Sequence, residues 1–451
     1  MPVFLPACFE ERRRCSLKRR STDRYAIALC AGATIGGMKK ALAARVLLCI
    51  AAAASAAVAG APENDIEHNA RREREFVAFN PRFNVLKAER SAGVRALAAR
   101  VEEREAARQS TLCSHQILWE LKLMTYMTAD FTAIDRRIRD LRSSLDHPER
   151  EDSAAVQNPE DGSYGSCYES WPLKLSASYD HRSDKAARPF RFLDRVNSPE
   201  KLTDYLTALA TSDIARTGVD HTLDLNESLS DLMRMILREQ PKDYPWDPRL
   251  KQTLMDLLLH RLRNPETGWW GESYVRDGRV KFVDDLSTTF HTVSYLDGKV
   301  PDLPKIVDTA LALKSLDTPA GWLWDGAYWN HNNMDVAVLF GYGWPQASAV
   351  QRQAMRTELE KMLHWCLAES LQPDGSFKPI LPDGSLEEAN YFGAAFLARS
   401  GYFDRTRRFW TDAEFAGSDA IRKRIVDNID KHRNTGGAGG AYYSSILEEL
   451  R

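Results

Sequence analysis

Apolar residues recur along this chain at the spacing of amphipathic helices, in stretches separated by glycine turns. Leu250 to Leu262 shows the pattern plainly. Leu254, Leu257, Leu258 and Leu262 share one face of a helix and polar residues occupy the rest. The same periodicity predicts helices over Arg95 to Arg108, Ser114 to Met127, Leu286 to Leu296, Leu303 to Leu316, Met334 to Tyr342, Ala349 to Leu371 and Leu386 to Tyr402. Pro199, Pro248, Pro304 and Pro345 stand near helix starts, where a missing backbone N–H costs nothing. One stretch breaks the rhythm. Tyr274 to Phe282 alternates around Asp277-Gly278, which predicts a small β-hairpin insertion near 274–282.

The turns themselves repeat. Asp161-Gly162-Ser163-Tyr164-Gly165, Thr217-Gly218-Val219-Asp220, Thr267-Gly268-Trp269-Trp270-Gly271, Ala320-Gly321-Trp322 and Asp374-Gly375-Ser376-Phe377 follow one another at glycine intervals of 56, 50, 53 and 54. A weaker sixth turn is Gly436-Gly437-Ala438-Gly439-Gly440. A helix enters each turn and another leaves it, so the unit is a helical hairpin that buries its apolar face against the next. The expected fold is all-α: about six helical hairpins closed into an α/α toroid, with one helix of each hairpin in an inner ring and its partner outside. The toroid domain spans 129–451, preceded by N-terminal helices in 62–128.

Gln372-Pro373-Asp374-Gly375-Ser376-Phe377 resembles the glutamine, aspartate-glycine and aromatic turns of the terpene cyclase and prenyltransferase toroid superfamily, and Asn264-Pro265-Glu266-Thr267-Gly268-Trp269-Trp270-Gly271 is similar. In rhythm the resemblance covers roughly 130–450; in letters it covers only these turns. It implies a fold and not a function. The broader architecture also includes secreted glycoside hydrolases and polysaccharide lyases.

The first 61 residues have a different character. Met38 to Ala61 reads as a secretory signal peptide: Lys39, Lys40 and Arg45 form the basic region, Val46 to Val58 the apolar one, and Ala57-Val58-Ala59 the cleavage signal. The apolar run is too short to span a bilayer comfortably. Either Met38 is the true start, with 1–37 a mis-annotated extension, or Arg13-Arg14-Cys15-Ser16-Leu17-Lys18 belongs to a long twin-arginine leader. Both imply export to the periplasm or beyond.

Charge changes the picture once that segment is removed. The whole chain carries −2, but ten basic and only three acidic residues lie within 1–61, so the remainder carries −9. An acidic chain without a basic block speaks against nucleic-acid partners and anionic membranes, and no later apolar run is long enough for membrane insertion. Four of the seven cysteines lie in the leader. Cys113, Cys167 and Cys366 remain, enough for one disulfide at most, and are expected to be buried thiols.

Candidate chemistry concentrates at the starts of the helices that follow the turns. One cluster holds Glu272, Asp284, Asp285, Ser287, Thr288 and His291. A second runs from Trp324 to Asp335 through Asp325, Tyr328, Trp329, Asn330, His331, Asn332 and Asn333. A third is Glu387-Glu388-Ala389-Asn390-Tyr391. Capping accounts for part of this: Asn330, Asn332 and Asn333 can satisfy free helix N–H groups, Asp284-Asp285 suits a helix dipole, and Glu387-Glu388 reads as a solvated first turn. It does not account for His331 beside Asp335.

Glycoside hydrolysis needs two carboxylates with separated pKa values, and Glu272, Asp284, Asp285, Asp325 and Asp335 provide several pairs. Glu272 is the expected acid and Asp284 or Asp285 the expected base. A polysaccharide lyase acting on a uronate would instead use Tyr328, His331 and Asn332, although the acidic surroundings disfavour that substrate. Trp269, Trp270, Trp324 and Trp329 offer flat apolar faces for sugar rings, with His291, Asn330, Asn332 and Asn333 as further contacts; a glycan-binding protein would use these without cleavage. Terpene cyclisation is disfavoured, since Asp284-Asp285-Leu286-Ser287-Thr288 lacks the third aspartate of its motif. There is no phosphate-binding loop, nucleophile elbow or paired-cysteine metal motif, so no cofactor and no metal is expected.

Overall fold

Three of the turns form a similar backbone loop. The amide of Asn158 donates to the Ser163 carbonyl (2.8 Å), that of Asn264 to Trp269 (2.8 Å) and that of Gln372 to Ser376 (2.8 Å), while the turn glycine donates back to the first residue in each. Gly375 adopts φ +89°, and a Cβ there would lie 2.4 Å from the Arg424 carbonyl, so only glycine fits. At Gly321 φ is ordinary; there the constraint is space, because a Cβ would lie 1.7 Å from the Leu316 carbonyl.

A computed structural model describes residues 81–451 except 181–186, 240–243, 277–278, 317–318, 325, 380–384 and 434–439. The signal peptide, Gly436 to Gly439 of the sixth turn and Asp325 lie outside the described residues. The structure is mostly helical with a small three-stranded sheet. Helices α1 (Pro81–Ala106), α2 (Leu112–Met127) and α3 (Phe131–Asp146) pack on one another. After them come α4 (Trp171–Asp180), α5 (Pro199–Leu209), the short α6 (Ile214–Thr217), α7 (Thr222–Met233), α8 (Leu250–His260), α9 (Leu286–Tyr295), α10 (Leu303–Leu313), α11 (Asn330–Gly343), α12 (Ala349–Trp365), α13 (Leu386–Arg399), α14 (Ser418–Arg433) and α15 (Gly440–Leu450).

Helices after the turns pack in sequence, α4 on α7, α7 on α9, α9 on α11, α11 on α13 and α13 on α15. Helices before the turns form a second row, with α5 on α8 and α10 on α12. Leu254, Leu257 and Leu258 of α8 are buried on the face that the periodicity predicts. The main core runs along both rows, and a second apolar cluster joins α1–α3 to Leu173 and Leu223.

The expected hairpin is present. Strands β2 (Ser273–Arg276) and β3 (Arg279–Phe282) pair antiparallel with Tyr274 opposite Lys281. The sequence did not reveal β1 (Thr211–Ser212), which pairs parallel to β2. Helix α11 begins four residues before the expected Met334, so Asn330 to Asn333 lie in its first turn rather than in a loop.

The cysteine expectation is corrected. Cys113 and Cys167 form a disulfide, and only Cys366 is a buried thiol. Fifty-four positions separate the partners in sequence, and the hairpin repeat contains no signal that brings them together. Among the described residues, no helix is long and apolar enough to cross a membrane.

Candidate active site

The polar residues singled out in the sequence separate into supports and a central group. Glu272 is a support. Its carboxylate is buried between β1 and α7, where it accepts from the Ser212 hydroxyl (2.5 Å) and the Thr222 hydroxyl (2.6 Å). Asp284 is likewise buried and accepts from Asn264 Nδ2 (3.0 Å) and Thr267 Oγ1 (2.8 Å), holding the third turn. Both carboxylates thus join separate parts of the fold. Glu272→Ala should lower unfolding stability by about 3 kcal/mol, since two buried hydroxyls lose a charged acceptor. Urea denaturation measures this, and a variant as stable as the parent would contradict the assignment.

The tryptophans divide too. Trp269 and Trp270 are fully buried, with indole N–H groups donating to the carbonyls of Ile306 (3.0 Å) and Leu258 (2.6 Å). No sugar ring reaches them, so their expected role in substrate binding is corrected to turn packing. Trp324 is half-buried and meets Trp329 edge-on at 5.8 Å.

Tyr328 and His331 lie three residues apart but face different surroundings. Tyr328 sits against α10 and α12, its hydroxyl bonded to Lys314 Nζ (2.9 Å) and Glu358 (3.0 Å). Asn332 donates to the Trp322 carbonyl (3.3 Å) and Asn330 to the Ser370 hydroxyl (2.9 Å). Asn333 is fully buried. The lyase trio of Tyr328, His331 and Asn332 therefore does not converge.

What does converge is a set on α7, α9, α11 and α13. His331 and Asp335, four apart, share one face of α11. The His331 ring stacks on Phe392 at 3.7 Å, takes the edge of Trp329 at 5.0 Å, and pairs through Nδ1 with Glu388 at 3.1 Å. Glu387 reaches His115 of α2 at 3.5 Å. The expected solvated first turn of α13 is thus half-buried and engaged by two histidines. Asp285 caps α9, accepting from the Thr288 amide (2.7 Å) and Asn226 Nδ2 (3.4 Å).

Electrostatics gives these groups different protonation states. Burial pushes Asp335 up to about 7; the positive charges of His331 and Arg399 oppose this, and the negative charge of Asp285 adds to it. Asp335 is 1% exposed, and its Oδ1 has no hydrogen-bond partner among the described residues. Burial alone would lower His331, but its bond to Glu388 and the charges of Asp335 and Glu388 raise it above the usual imidazole value. His291 goes the other way, to about 3, through burial and the positive charges of Arg234, His331 and Arg399. The site thus combines a carboxyl raised to about 7, an imidazole raised above its usual value by its carboxylate partner, and a second imidazole lowered to about 3.

Sequence reasoning undervalued Glu388 and did not select Arg234 or Arg399. The available signal was the recurrence of polar residues on one face of successive helices: His331 with Asp335, His291 with Tyr295, and Asp231 with Arg234. No family model, curated protein or solved structure matches this chain.

Proposed function

We propose that the chain is an exported carbohydrate-active enzyme that hydrolyses a poly- or oligosaccharide, with Asp335 as the proton donor and Asp285 as the companion carboxylate. The observation that carries this reading is the buried placement of Asp335 on α11, which packs on α9 where Asp285 forms the cap: burial raises the Asp335 carboxyl to about 7, and the negative charge of Asp285 adds to it. Two carboxylates with different affinities for a proton are what glycosidic hydrolysis requires, one to protonate the leaving oxygen and one to act on the opposite side. His331, paired with Glu388, positions the acid. Trp324, half-buried, is the aromatic surface left for a sugar ring once Trp269 and Trp270 are assigned to the core, and the buried Trp329 backs it edge-on.

The hairpins close, in this reading, into an α/α toroid whose inner row bears the site. Support comes from His115 of α2 meeting Glu387 of α13, which brings an early helix to a late one. Export is supported by the disulfide, a bond that persists in oxidising compartments.

Purified protein incubated with neutral and uronate polysaccharides should create new reducing ends without unsaturated, ultraviolet-absorbing sugars. Unsaturated products would replace hydrolysis with β-elimination. A change in tryptophan fluorescence with no product from any polymer would make the chain a glycan-binding protein.

A further inference from the structure

A second buried group of charges lies between α2 and α7. Glu120 of α2 is fully buried, and Asp224 and Glu227 stand three apart on one face of α7, which packs on α2. One carboxylate oxygen from each lies within 4.8 Å of the other two. Arg137 of α3 pairs with Glu120 Oε2 at 2.5 Å and also meets Asp140 at 3.4 Å. Arg137 is the cation bonded to Glu120, and Asp140 also draws on it. Two oxygens in the group, Glu120 Oε1 and Glu227 Oε2, are buried without a hydrogen-bond donor among the described residues. A buried carboxylate oxygen with no donor is costly unless something positive meets it.

We propose that Glu120, Asp224 and Glu227 bind one Ca2+ ion that fastens α2 to α7. The donors are all oxygens, which selects a hard cation. Calcium takes 6–8 oxygens at roughly 2.3–2.6 Å in a flexible arrangement, and three oxygens that lie within 4.8 Å of one another can all reach one such ion. Magnesium demands near-ideal octahedral geometry and is usually held through one or two carboxylates rather than three. A divalent ion also supplies positive charge to the two undonated oxygens. These three carboxylates are none of the residues assigned to hydrolysis, and the proposal does not depend on that reading.

The test uses the full chain stripped with a chelator and titrated with CaCl2 by calorimetry, with thermal unfolding followed in parallel. One equivalent should bind, and the midpoint of unfolding should rise with calcium. Glu227→Gln, which keeps the shape of the side chain, should weaken binding by about tenfold or more and remove the thermal response. Asp374→Asn, on a surface turn, should leave both unchanged. Absence of binding by the stripped parent protein would overturn the proposal. So would tighter binding of magnesium than of calcium, or equal binding by the parent, Glu227→Gln and Asp224→Asn.

Discussion

Replacing Asp335 by Asn is expected to reduce kcat about a thousandfold while leaving the helical content intact. Asparagine keeps the volume of the side chain but cannot deliver a proton, and loss of a positioned acid typically costs about 10²–10⁴ in rate. In the proposed reaction the parent protein should also lose activity as pH rises through about 7, because the acid form of Asp335 declines there. The same residue leaves a mark on stability that needs no substrate. Its pKa in the folded chain lies above the ordinary 3.8, so folding takes up a proton between about 3.8 and 7. The resulting contribution to stability is fully present below that window and lost as pH rises through it, by on the order of 4 kcal/mol. His331, also raised, declines in the same direction as pH rises further. Urea unfolding at pH 5 and pH 8 should show a smaller loss for Asp335→Asn than for the parent. A variant with parental turnover and parental pH dependence would remove Asp335 from the chemistry.

Breaking the Cys113–Cys167 bond is expected to cost about 4 kcal/mol. The bond closes a loop of 54 residues, and the chain entropy it removes from the unfolded state grows with the logarithm of loop length. It also anchors a well-defined helix start. The amides of Cys113 and Ser114 at the beginning of α2 donate to the buried Glu151 carboxylate at 2.8 and 2.9 Å, and the Ser144 hydroxyl joins them at 3.1 Å. Denaturant unfolding of the oxidised protein, the reduced protein and a Cys113→Ser, Cys167→Ser double variant measures the effect. Coincident unfolding of all three would mean that the bond does not stabilise the fold.

Much of the candidate site could be named before the fold was known, but its grouping could not. His331, Asp335, Asp285 and His291 all stood out as polar residues at helix starts. Glu272 and Asp284 stood out for the same reason, and nothing local distinguishes a carboxylate that supports a turn from one that holds a proton. The difference lies in distant partners: Ser212 and Thr222 for Glu272, Asn264 and Thr267 for Asp284, and His331, Arg399 and Asp285 around Asp335. A signal in the turn letters went unused. Asn158-Pro159-Glu160 and Asn264-Pro265-Glu266 each precede a turn glycine, and each asparagine side chain accepts from the glutamate amide two residues on, at 2.8 and 3.0 Å.

The sequence by itself determined the helices, the five glycine turns within the described residues and the β-hairpin at 273–282, because each depends on interactions between residues a few positions apart. Tertiary structure alone decided which helices became neighbours. That choice buried Trp269 and Trp270, sent Tyr328 to Glu358 and His331 to Glu388, and joined Cys113 to Cys167. The physical reason is range. Periodicity and turn chemistry are encoded within one helix or loop, whereas burial, ion pairing and a shifted proton affinity depend on groups brought together from about 40 to 60 positions away.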